Sequence, residues 1–227
     1  MSKALPAEKT QPRVRLRILL FLGSAFAILV SFYLLSEVSK TLNQLSAVEA
    51  ERDQWQRPAD VLSSLGIQPG STVVDLGSGA GYFTLKLADV VGPKGEVVAV
   101  DLRRLSLFFL KLRALLRNRH NIEIIVGATD DPHLPAASAD AVLISNTYHE
   151  FASPGLMLDH TWRSLRPGGR LVIVDRGPAA ETRGHEIAMT VVEAALREKG
   201  FAVLGRNEHF VDRPGDEPWW LLVARKP

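Results

Sequence analysis

The stretch Val73-Val-Asp-Leu-Gly-Ser-Gly-Ala-Gly-Tyr82 carries the densest chemistry in the chain. A β-branched run ends in a glycine-rich turn, and a helical pattern starts directly after it. Gly77, Gly79 and Gly81 permit backbone angles and close approaches that a Cβ would forbid. Spacing decides which ligand such a turn suits. A dinucleotide loop reads G-x-G-x-x-G, which would put its third glycine at position 82. Position 82 is Tyr. The pattern is instead acidic-x-G-x-G-x-G, with Asp75 two residues before Gly77. A carboxylate there repels a pyrophosphate and welcomes a cationic, amino-bearing ligand; its bland alternative is a turn cap. Asp101 stands 26 residues beyond Asp75, at the end of the next β-branched run. A carboxylate in that place accepts both hydroxyls of a ribose, or else caps the helix that follows.

The elements that must position these groups can be read from hydrophobic period. Strands are expected at Ser71–Leu76, Glu96–Asp101, Ile122–Val126, Ala139–Ser145, Arg170–Asp175, Phe201–Glu208 and Trp219–Arg225. Helices are expected at Gly81–Val91, Arg103–Arg119, Pro154–Leu165 and His185–Lys199. Alternating strands and helices build a mostly parallel sheet covered on both faces. Only a turn joins the last two strands, so they pair antiparallel. The expectation is an α/β, Rossmann-like sheet of seven strands, parallel except at its terminal hairpin.

Asp75-Leu-Gly-Ser78-Gly-Ala-Gly81, Asp101 and Leu165-Arg-Pro-Gly-Gly-Arg-Leu171, in that order, resemble the motifs of class I S-adenosylmethionine-dependent methyltransferases. The resemblance covers most of residues 58–227. It implies the same seven-stranded fold with S-adenosylmethionine as cofactor. Asp75, Gly77, Ser78, Gly79 and Gly81 would cradle its methionine part, Asp101 its ribose, and Ala128, Thr129 and Asp130 its adenine; Asn146 would join this set. Asp130 and Asp131 also read as a solvated turn. The reactive methyl would face the end of the fourth strand, at Ser145-Asn-Thr-Tyr-His-Glu-Phe151. His149 is the expected general base for an oxygen acceptor, with Tyr148 and Glu150 orienting it or the substrate. Alternatively these three residues open a helix and pack beneath the cofactor. The loop lacks the Asn/Asp-Pro-Pro-aromatic pattern of enzymes that methylate exocyclic amines. Tyr-His-Glu-Phe, with Arg183-Gly-His-Glu-Ile187, is also similar to a bacterial subgroup of small-molecule methyltransferases, which adds His185 as a site residue or a helix-start polar group.

Composition removes other classes. The chain has no Cys, so a disulfide scaffold and Cys-ligated metal sites are excluded, and arsenic methylation is disfavoured. His120, His133, His160 and His209 show no i, i+4 pair, and no metal is expected. Residues 58–227 hold 19 basic and 20 acidic residues, and no nucleic-acid partner is expected of so neutral a domain. The rival functions are a nicotinamide-dependent oxidoreductase and a non-catalytic, membrane-tethered cofactor-binding module.

The N-terminus reads as a basic flank (1–17), a membrane anchor (18–35) and a helical stalk (36–57), ahead of the domain at 58–227; a cleaved signal peptide and a buried helix are the alternatives for 18–35. Ile18 to Leu35 carries no charge. As a helix, 18 residues span about 27 Å, close to a bilayer core of about 30 Å. Charge counting puts the N-terminus inside and the domain outside. A methyl donor made in the cytoplasm asks for the reverse, and a cytoplasmic domain on a single-pass anchor is the expectation. Arg103–Arg119 has two apolar stripes. Leu105, Phe108, Phe109, Leu112, Leu115 and Leu116 are expected in the core. Leu107, Leu110 and Ala114, flanked by Arg103, Lys111, Arg113 and Arg117, are expected outside, where they would suit an anionic membrane. The acceptor is then a small molecule of the lipid-soluble kind, such as a quinone precursor.

Overall fold

β-branched pentads and hexads make the sheet at the centre of the computed structural model, which describes residues 12–177, 187–213 and 217–227. The strands are β1 (Thr72–Leu76), β2 (Glu96–Asp101), β3 (Ile122–Val126), β4 (Ala139–Ser145), β5 (Leu165–Arg176), β6 (Ala202–Val211) and β7 (Trp219–Arg225). The helices are α1 (Pro12–Trp55), α2 (Pro58–Ser64), α3 (Tyr82–Val91), α4 (Arg104–Leu116), α5 (Pro154–Ser164) and α6 (Met189–Glu198). The sheet order is β3-β2-β1-β4-β5-β7-β6. Strands β1 to β5 run parallel, β7 pairs antiparallel with β5, and β6 antiparallel with β7. The expected architecture is therefore present. Strand order reverses between β1 and β4, which puts a ligand crevice at their carboxyl ends.

Val73, Leu76, Val97, Val100, Leu143 and Ile144 are buried because helices cover both faces. One face packs on α5 and α6 through Met157, Leu158, Met189, Val192 and Leu196, with Trp220 at its centre. The other packs on α2 and α3 through Val61, Leu65, Phe83 and Leu87. A smaller cluster joins Leu85 and Ala99 to Leu107, Leu110 and Ala114 of α4.

That last cluster reverses one expectation. On α4 the buried residues are Leu107, Leu110, Arg113 and Ala114, whereas Leu105, Phe108, Leu115 and Leu116 are exposed. Period alone shows two apolar stripes and does not say which faces in. Close approach decides it. A Cβ on Gly81 would meet Leu110 Cδ1 at 2.3 Å, so Leu110 sits directly over the glycine turn. The bulkier Leu/Phe stripe has no such recess.

The chain forms two compact units, residues 1–47 and 48–227. In the first, the described residues are helical. Of the whole of α1, residues from Leu19 onward include an 18-residue window with mean hydropathy 2.2 and no buried residue, apolar and long enough to cross a membrane. In the second unit, the last turns of α1 join the domain ahead of the Pro58 boundary read from the sequence. The Trp55 ring meets Trp219 edge-on at 5.4 Å.

Candidate active site

The cleft lies where the strand order reverses. Its wall includes Leu76 and Gly77 at the end of β1, Val100 to Arg103 at the end of β2, Gly127 to Thr129 after β3, and Thr147, Glu150 and Phe151 after β4. The cleft is open to solvent on one side and its lining is mostly apolar.

The glycine turn forms one end. Gly77, Gly79 and Gly81 have φ of +85°, +55° and +87°, backbone that side chains rarely adopt. Nothing lies within 4 Å of where a Cβ on Gly79 would stand, which leaves its backbone open to a ligand. Gly77 is the opposite case: a Cβ there would meet Thr147 Cγ2 at 2.2 Å. Asp101 braces the turn, its Oδ2 accepting from the Gly79 N–H at 2.8 Å. Its Oδ1 accepts from the Arg103 N–H at 2.8 Å and from Arg103 Nε at 3.3 Å. Asp101 is nearly buried but lies on the cleft wall.

Around the same strand ends are polar atoms with nothing to bond. Ser78 Oγ, Ser145 Oγ and Asn146 Oδ1 are buried without a partner among the described residues. A buried unpaired polar group costs about 1–3 kcal/mol, so three together mark a place built for a polar ligand. Ser78 and Asn146 were both expected here; Ser145 was read only as the end of the fourth strand.

The other expected residues divide between the cleft and its surroundings. Asp75 is buried and not on the cleft wall. Its Oδ2 accepts from Thr84 Oγ1 at 2.5 Å, fastening β1 to the first turn of α3. Burial pushes the Asp75 carboxyl up to about 6, against the Thr84 bond that lowers it. Thr129 lines the cleft, while Asp130 is exposed and does not. Tyr148 is 2% exposed and belongs to the core under α5 and α6, 5.6 Å from Phe151, its hydroxyl pushed up to about 12 by burial. His185 lies outside the described residues.

His149 follows β4 in a short 3-10 turn, Tyr148–Glu150. Its Nδ1 lies 2.7 Å from Oδ1 of Asp175, a carboxylate fully buried at the end of β5. Asp175 Oδ2 also accepts from the His149 N–H at 3.1 Å, so backbone and ring are both fixed. With Nδ1 donating to the carboxylate, Nε2 carries the free lone pair; Glu150 Oε1 is 3.9 Å from it. The hydrogen bond to Asp175 raises the imidazole above its usual value, outweighing burial, which lowers it. Sequence reasoning missed Asp175 as a site residue. Its signal was an acid closing β5, the strand beside the one that His149 follows. Among the described residues no group of three potential ligands could hold a metal ion.

A further set holds the turn from outside. The guanidinium of Arg113, buried on α4, donates to the Ala80 carbonyl at 2.5 Å and to Glu49 of α1. Arg117 also donates to Glu49, at 2.9 and 3.0 Å, and Tyr82 Oη donates to Asp53 at 2.8 Å.

A family model described as a methyltransferase domain matches residues 67–202, from before β1 into β6. The chain belongs to the methyltransferase-domain family. Among curated members, the arsenite methyltransferase of Halobacterium salinarum is 38% identical over 47% of this chain and 27% of its own length. The demethylmenaquinone methyltransferase of Lactococcus lactis is 26% identical over 62% of this chain and 56% of its own. The chain thus spans between about a quarter and just over half of these relatives. A solved S-adenosylmethionine-dependent methyltransferase from Aquifex aeolicus has the same fold, with a TM-score of 0.69 and 21% identity over 82% of this chain and 98% of that one. S-adenosylmethionine is the cofactor of this class, and the site fits it: a mostly apolar cleft, a carboxylate on its wall, an open glycine turn and unpartnered polar atoms at the neighbouring strand ends.

Proposed function

We propose that the chain transfers a methyl group from S-adenosylmethionine to a small, lipid-soluble acceptor, with His149 as general base and Asp175 as the group that orients it. The reading is carried by the 2.7 Å His149–Asp175 bond at the end of β4, beside the cleft. S-adenosylmethionine would supply a methyl already activated on a sulfonium. This chain's residues then have two tasks. One is positioning: the turn at Gly77–Gly81, Asp101 and Thr129 hold the cofactor, and Ser78, Ser145 and Asn146 offer their unpaired atoms to its polar end. The other is removing the acceptor's proton, for which Nε2 of His149 is free while Asp175 stabilises the imidazolium that forms. Asp75 contributes by holding α3 to β1 rather than by touching the ligand.

The quinone-directed relative supports an acceptor with an ionisable hydroxyl or activated ring carbon, for which a base is needed. Arsenite is disfavoured because the chain holds no thiolate to bind it. An oxidoreductase reading gains no support from a turn with Tyr82 where a dinucleotide loop needs glycine. Residues 18–35 would anchor the protein in the membrane where such acceptors reside, with the domain on the cytoplasmic side.

The test is incubation of the full chain with methyl-labelled S-adenosylmethionine and a membrane-lipid extract. Label should enter an organic-soluble product, and His149→Ala should abolish it. Tight cofactor binding by calorimetry, with no label in any lipid or soluble pool, would leave the non-catalytic module as the better reading.

A further inference from the structure

The face of α4 that the sheet leaves free is apolar along its whole length. Leu105, Phe108, Leu115 and Leu116 are each more than half exposed, as is Leu102 just before the helix. With the half-buried Leu112, the four helical residues fall within an arc of about 100°. Single exposed leucines need no explanation, but a contiguous stripe does.

Charge says what covers it. No Asp or Glu lies between Asp101 and Glu123. Of the six cations in that interval, Arg103 pairs with Asp101, Arg113 and Arg117 with Glu49, and Arg119 with Asp89. Arg104 and Lys111 remain, exposed and with no acidic partner among the described residues. Seven residues apart, they lie on one edge of the stripe. An apolar face edged by free cations matches a bilayer with anionic headgroups: the side chains reach the acyl boundary while the cations meet phosphate. A second copy of this helix would bring the same cations against these two.

We propose that the Leu102–Leu116 face of α4 is a docking surface for an anionic lipid bilayer. The proposal rests on reading residues 18–35 as a membrane span, and it adds an entry route. Leu102 heads the stripe and also lines the cleft, so the cleft mouth meets the lipid where the stripe ends. A lipid-soluble acceptor then reaches the site without crossing water.

The absence of Cys makes the test direct. Leu105→Cys, Phe108→Cys and, as a control on α6, Glu198→Cys each give the full chain a single thiol for a nitroxide label. In vesicles containing phosphatidylglycerol, labels at 105 and 108 should show a severalfold higher ratio of oxygen to aqueous nickel-chelate accessibility than the label at 198. Arg104→Glu with Lys111→Glu, both at exposed positions, should return that ratio to the control value. Labels at 105 and 108 as wet as the control, in chains that resist alkaline extraction, would overturn the docking surface and leave the anchor standing. Spin–spin broadening relieved by unlabelled chain would overturn it in favour of a second copy. Chains washed off by alkali would overturn the anchor and the docking surface with it.

Discussion

Asp101 holds the glycine turn through the Gly79 N–H and also lines the cleft, so one carboxylate both shapes the candidate cofactor site and lines it. Charge-assisted bonds to a ribose are each worth about 1.5–3 kcal/mol, so Asp101→Ala should weaken S-adenosylmethionine binding at least tenfold. Calorimetry checks this, and an unchanged affinity would remove Asp101 from the site. His149→Ala should lower turnover by about 10²–10⁴ with cofactor affinity nearly unchanged. The pH profile separates base from packing residue. Asp175 favours the imidazolium, so the neutral, proton-accepting form appears only as pH rises past a midpoint above the usual 6.5. Turnover should climb through that midpoint. Asp175→Asn should lower both the midpoint and the rate; a profile that does not move would discard the dyad. These residues also show how far spacing can be read. Gly77, Gly79, Asp101 and His149 were legible because turn chemistry and strand ends fix them locally. Asp175 was not, because its partner is 26 residues away in the turn after a neighbouring strand and only the β4–β5 register brings them together.

At the scale of elements, the last turns of α1 are part of the domain's electrostatics. Glu49 accepts from Arg113 and Arg117 and lies 3.5 Å from Lys86. Its partner Arg113 is only 5% exposed. Removing the acid leaves a buried guanidinium held by the Ala80 carbonyl alone. Glu49→Gln should therefore cost roughly 3 kcal/mol and lower the melting temperature by about 6–12 °C. Burial raises the Glu49 carboxyl, but the bond from Arg117 and the charges of Arg113, Arg117 and Lys86 bring it below its usual 4.5. A carboxyl lowered by folding contributes stability above pH 4.5 and loses it as pH falls through the folded value. The gap between parent and Glu49→Gln should narrow in that acid range; melts from pH 7 down to 3 measure it, and a constant gap would refute the assignment. The sequence showed α4 as a helix with two apolar stripes but not which one faces the sheet. That choice depends on the recess above Gly81 and on the pairing of Arg113 with Glu49, 64 residues earlier, neither of which has a local signature.

For the whole molecule, the strands and their order of direction were legible, since period-two runs and connection lengths leave few topologies. The short α2 went unread because its 7 residues make fewer than two turns of pattern. If residues 18–35 span a membrane as proposed, flanking charge and the origin of the methyl donor point to opposite sides for the domain. Carboxyl-terminal reporter fusions should give a fluorescent protein that glows and an alkaline phosphatase that is silent; the reverse would place the domain outside and favour a non-catalytic role. The contact between Gly77 and Thr147 has a consequence at this scale. The two residues come from either side of the strand reversal, one after β1 and one after β4, and the methyl group of Thr147 fills the volume a Cβ on Gly77 would take. The two loops are thus a matched pair, like a key and its ward. A chimaera that borrows residues 77–81 from one relative must borrow 145–147 from the same one, or both loops will be displaced together.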